Sequence, residues 1–70
     1  MNCREFRAAI ARAGLSKRAI ADSLGMSEQA FYNKMNGRTE FKNSEIVKLS
    51  ELLGLTMESV NLIFFSGSVN

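Results

Sequence analysis

The chain has no histidine, no proline and no tryptophan, and Cys3 is its one cysteine. Each absence removes a class of protein. A lone thiol cannot close an intramolecular disulfide, which excludes a stapled secreted scaffold. With no imidazole and one thiol, the common zinc ligand sets cannot be assembled. Histidine-based nucleophilic triads fail for the same reason. The strongest apolar run, Leu62 to Phe65, is far short of a bilayer span, so no membrane partner is expected. Met1-Asn2-Cys3-Arg4-Glu5 lacks the apolar core of a signal peptide, and a cytoplasmic location is the expectation. No catalytic constellation or phosphate-binding glycine loop stands out. The chain therefore reads as a non-enzyme with no cofactor, no metal and no small-molecule substrate.

What the chain does have is a charge gradient. Its 70 residues suit one small domain with a modest core. The net charge is only +2, but residues 1–42 hold eight basic side chains against four acidic ones, hence +4. Residues 43–70 hold Lys48 against Glu45, Glu51 and Glu58, hence −2. A basic front suggests a polyanionic partner, although ordinary solvated surface can carry the same pattern.

The glycines organise the rest. Gly14-Leu15-Ser16, Gly25-Met26-Ser27 and Gly54-Leu55-Thr56 repeat one device. Glycine ends a helix in the left-handed conformation, and the hydroxyl residue caps the next helix. The apolar residue between them has a partner at staple spacing: Ile20, Phe31 and Val60 respectively. Five short helices follow. The first spans 3–13, with Asn2 as cap, Glu5 completing a capping box, and Phe6, Ala9, Ile10 and Ala13 on one face. The second, over 17–24, buries Ile20, Ala21 and Leu24. The third, over 28–36, buries Phe31 and Met35 and ends at Gly37. The fourth carries Ile46, Leu49, Leu52 and Leu53 and ends at Gly54. The fifth, over 57–64, carries Val60, Ile63 and Phe64. This is an all-α fold class, with residues 1–65 as the domain and 66–70 as a frayed tail.

The start of the fourth helix is irregular. Phe41 and Ile46 have staple spacing around Lys42, and Glu45 stands where a capping-box acid belongs. Lys42 has no acceptor with which to cap. Either Asn43 caps one residue later or the first turn uses water.

The second and third helices carry the functional signal. Both are short, the Gly25-Met26-Ser27 connection is tight, and Ala21 offers the small side chain that a steep crossing needs. That is the helix-turn-helix arrangement, in which the second helix enters the DNA major groove. The run Gly14-Leu15-Ser16, Ile20-Ala21, Leu24-Gly25-Met26-Ser27, Phe31 and Asn36-Gly37-Arg38 resembles the lambdoid phage repressor and Cro family. Glu45, Leu49, Leu52-Leu53-Gly54-Leu55-Thr56 and Ile63-Phe64-Phe65 extend the likeness over roughly residues 4–65. The resemblance implies a compact five-helix, repressor-like domain that binds double-stranded operator DNA, usually as a homodimer. Two departures stand out: Lys34 occupies a position that many members give to an apolar residue, and Lys42 replaces the usual hydroxyl cap.

With Phe31 and Met35 inward, Ser27, Glu28, Gln29, Tyr32 and Asn33 face outward on the third helix. Gln29 and Asn33 resemble the family's base-reading positions, and an amide can bond two-fold to adenine. Glu28 and Tyr32 join them as candidates. Phosphate contacts are expected from Lys17, Arg18, Ser27, Lys34, Arg38 and Lys42. Arg7 and Arg12 read as solvated positions or local ion-pair partners, and Cys3 as a small apolar filler. The neighbours Phe64 and Phe65 are a candidate oligomer or partner contact. Phe64 fits the inward stripe, which leaves Phe65 exposed, covered by another subunit, or tucked back by a bend. A competing expectation uses the same fold as an antirepressor that docks on a partner repressor protein, with Glu28 meeting a basic surface. An antitoxin would share the fold, but no toxin-binding segment marks one.

Overall fold

Each repeated turn places a left-handed glycine beside a capping hydroxyl, and the computed structural model realises all three. It describes residues 1–65; the tail expected over 66–70 lies outside the described residues. Five α-helices run in order: α1 (Cys3–Ala13), α2 (Lys17–Ser23), α3 (Glu28–Met35), α4 (Asn43–Leu53) and α5 (Met57–Val60). Among the described residues there is no strand. Ser16 Oγ accepts from the Ala19 N–H at 3.0 Å, Ser27 Oγ from Ala30 at 3.1 Å and Thr56 Oγ1 from Ser59 at 3.1 Å. Three short helices thus start on the hydroxyl that the pattern assigns to them. Leu15 remains exposed, while Met26 and Leu55 pack against the core.

The core is built from one stripe of each of α1 to α4, closed by residues that follow α5. Phe6, Ile20, Ala21, Phe31, Met35 and Leu49 are completely buried, and Ile63 nearly so. Phe6 stands at the centre of an aromatic cluster. Its ring centroid lies 6.2 Å from Phe31, 5.5 Å from Phe41 and 5.5 Å from Phe64. Phe41 in turn meets Phe31 and Phe64. Edge-on and tilted rings at these distances add attraction beyond the area they bury. One loop residue therefore ties the α3–α4 connection into the middle of the domain.

Four features of the helix ends differ from the sequence pattern. First, α2 and α3 each stop one residue early, because Leu24 and Asn36 serve as their C-caps. Second, α5 is regular only to Val60 and continues as a π-helical turn over Asn61–Phe65. The wider turn keeps both Ile63 and Phe64 against the core. Third, Asn2 Oδ1 caps α1 at the Glu5 N–H, but the reciprocal bond is not made. The Asn2 N–H instead donates to the Ile63 carbonyl at 2.6 Å. Fourth, Lys42 itself is the N-cap of α4, and Asn43 is already helical. The Glu45 carboxylate accepts from the Lys42 N–H at 2.8 Å, so half of a capping box forms where no side chain can supply the other half.

Candidate functional site

The α2–turn–α3 unit is held by backbone geometry. The Met26 N–H reaches back to the Ala21 carbonyl at 3.1 Å, and Gly25 N–H to Asp22 at 3.0 Å. This pair of bonds closes α2 only if Gly25 is left-handed, and its φ is +71°. A side chain there would be strained in the backbone itself. Ala21 is fully buried on the inner face of α2, and α2 packs against α3. The other end of α3 closes in the same way: Gly37 at φ +81° donates to Lys34, and Arg38 N–H to Asn33 at 2.9 Å. Arg38 is thereby set in a defined turn, with its side chain exposed.

Between those stops, α3 has two distinct sides. Phe31 and Met35 are buried completely. Glu28, Gln29 and Tyr32 are exposed, and Asn33 is half-buried. Gln29 Nε2 donates to Asn33 Oδ1 at 3.2 Å, which joins the two amides along one helix face. The Lys17 ammonium lies 5.6 Å from the Tyr32 ring centre and links the first turn of α2 to α3. Lys17, Glu28, Gln29 and Tyr32 line one shallow depression. Arg18, Arg38 and Lys42 are exposed, and Glu28 forms no ion pair among the described residues. Ser27 spends its oxygen on the Ala30 N–H and keeps its hydroxyl proton to donate. The outer side of α3 thus offers amide donors and acceptors, a phenol and a carboxylate.

Lys34 is placed differently from the phosphate contact expected of it. Its ammonium is 2.8 Å from Glu45 Oε1, with both side chains only 15% exposed. It also lies 5.9 Å from the Phe41 ring centre. The polar departure at this position is absorbed by an ion pair across the α3–α4 loop, and the ammonium is directed to α4. Burial pushes the Glu45 carboxyl up. The hydrogen bonds from Lys34 and the Lys42 N–H, with the two ammonium charges, outweigh it, so the carboxyl titrates below its ordinary value.

Phe64 is half-buried and packs on Phe6 and Phe41. Phe65 is 58% exposed. It lines an apolar groove with Ile46, Val47, Leu55, Met57 and Val60, within which Val47 and Met57 are also exposed. Two contacts escape a reading by spacing alone. The Arg7 guanidinium donates to Asn36 Oδ1, joining α1 to the C-cap of α3 across 29 positions. Cys3 is half-buried, and its sulfur faces the bare Cα of Gly37. No sequence periodicity marks either pairing.

Among the described residues, no group of three or more His, Cys, Asp or Glu could hold a metal ion. No helix among them is long and apolar enough to cross a membrane. Residues 6–67 match the family described as "Protein of unknown function (DUF739)". No curated protein and no solved structure matches the chain.

Proposed function

The chain belongs to the DUF739 family, and from that starting point we propose that it is a sequence-specific DNA-binding transcription regulator, similar to the Cro-like phage repressors. One observation carries this reading. Helix α3 is pinned at both ends and buries Phe31 and Met35. It leaves Glu28, Gln29 and Tyr32 exposed, with Asn33 half-buried beside them. An α-helix presented in this way fits the major groove, where amides read base edges. Lys17, Arg18, Arg38 and Lys42 flank it and supply the phosphate contacts, with the Ser27 hydroxyl as a further donor. Lys34 drops out of that set because Glu45 holds it. A second copy covering Val47, Met57 and Phe65 belongs to the same reading, since exposed apolar residues around one groove suit a partner surface.

The test is a fluorescence-anisotropy titration against DNA from the gene's own promoter region and against random duplex. The expected result is tighter binding to one promoter segment, with affinity falling steeply as salt rises. Absence of binding to either duplex at low salt would sink the reading. The unpaired Glu28 carboxylate favours one alternative, an antirepressor that docks on a basic surface of a partner repressor protein.

A further inference from the structure

The two amides on α3 are not independent side chains. Gln29 Nε2 donates to Asn33 Oδ1 at 3.2 Å, one helical turn apart. That bond consumes one donor of Gln29 and one of the two lone pairs of Asn33 Oδ1, and it turns that oxygen toward Gln29. Gln29 keeps its Oε1 acceptor and one N–H, while Asn33 presents the two N–H donors of Nδ2. Building on the DNA-binding reading above, we propose that Gln29 and Asn33 form one coupled base-reading unit with a fixed polarity, in which Gln29 takes an adenine edge and Asn33 an acceptor-only edge.

The chemistry of the base edges gives the assignment. Adenine shows the N7 acceptor beside the N6 donor, which complements an amide offering one donor and one acceptor. Guanine shows N7 and O6, two acceptors side by side, which complement an amide that leads with its nitrogen because its oxygen is turned to Gln29. A rise of about 1.5 Å per residue separates the two positions by about 6 Å along the helix. The two edges therefore lie within one or two base steps, and the preferred core holds an adenine and a guanine at that spacing. The bond also supplies preorganisation. Each amide is held by the other before DNA arrives, so fewer rotamers are lost on binding.

Selection from a pool of random duplexes, followed by titration of the enriched duplex and its single-base variants, tests the unit. Gln29→Ala, Asn33→Ala and the double variant form a cycle. Each single change should lower affinity for the enriched duplex by about ten-fold or more. The double change should lose clearly less than the product of the two, because removing either amide unlocks its neighbour. Asn33→Asp keeps an oxygen for the Gln29 N–H but replaces the free donors by an acceptor. It should move the preference at that step from guanine to cytosine, whose N4 donates, and leave the adenine preference in place. Melting curves of all four variants check that the fold is retained. Multiplicative losses, or an unmoved preference in Asn33→Asp, overturn the coupled unit while DNA reading stands. If no duplex is enriched and none is bound, DNA reading itself fails and the unit fails with it.

Discussion

Helices α3 and α4 begin in opposite ways, and the contrast shows how this small domain divides its polar side chains. Ser27 caps α3 with its own oxygen, a contact confined to four consecutive residues. Nothing on the outer side of α3 is drawn inward to complete it. Lys42 cannot cap α4, so Glu45 reaches back to the Lys42 N–H and draws in Lys34 from the preceding helix. A local cap leaves its neighbourhood free to meet a partner. A missing cap recruits side chains from elsewhere and turns them into structure.

The largest effect should come from breaking the recruited arrangement. Glu45→Gln leaves the Lys34 ammonium largely buried beside Phe41 without a counter-charge. We expect a loss of about 2 kcal/mol in denaturant unfolding, below the full cost of a deeply buried pair. The same group predicts an acid response. A carboxyl whose folded pKa is depressed contributes stability above its unfolded value, and that contribution disappears as pH falls through the folded one. Wild-type stability should therefore decline on acidification below about pH 4.5, the ordinary glutamate value. Glu45→Gln should decline less over that window. Parallel pH profiles for the two proteins would show that the pair adds nothing.

Ser27→Ala attacks the other kind of start. Loss of a hydroxyl cap costs about 1 kcal/mol, and thermal melting should register it with no change in the Glu45-linked acid response. If the acid response moved as well, the two helix starts would not be separable.

Lys42→Ser sharpens the comparison by giving α4 the hydroxyl it lacks. Stability should rise by about 0.5–1 kcal/mol. If Lys42 touches phosphate, affinity for every duplex should fall, and the salt dependence should flatten by about one counterion. An unchanged salt slope would leave Lys42 with no part in binding. The smallest change in stability belongs to Glu28→Gln. This carboxylate sits in the first turn of α3, where the helix dipole favours it by a few tenths of a kcal/mol. Its functional effect has a sign that separates the two readings. A DNA binder gains affinity for random duplex because a repulsive charge has gone, whereas an antirepressor loses affinity for its repressor, mostly through slower association at low salt. Titrating the one variant against both partners decides between them.

The features legible in the sequence are those made within one turn of chain. The glycine–apolar–hydroxyl repeats place their stops and caps because each bond spans only three to five residues. The inward positions Phe31, Met35 and Leu49 follow from helical period alone. The contacts that escaped reading are made between elements. Lys34 meets Glu45 across a loop, Arg7 meets Asn36 across two helices, and Phe41 becomes a hub only once four rings converge. Spacing gives no hint of such partners, since the fold itself brings them together. The outer face of α3 was readable by subtraction. The Gln29–Asn33 bond needed the rotamers that the folded helix selects.

The 2.6 Å bond from the Asn2 N–H to the Ile63 carbonyl joins residues 61 positions apart in sequence. Closing a loop of that length costs about 4 kcal/mol of chain entropy, far more than one hydrogen bond returns. The contact can therefore form only after the aromatic cluster has gathered α1 and the π turn, which makes it a late event in folding. Its exchange behaviour follows. The Asn2 amide should lose protection from deuterium whenever the α5 region lifts away, well before the amides of α1 and α3 open, and so serve as a local gauge of that detachment.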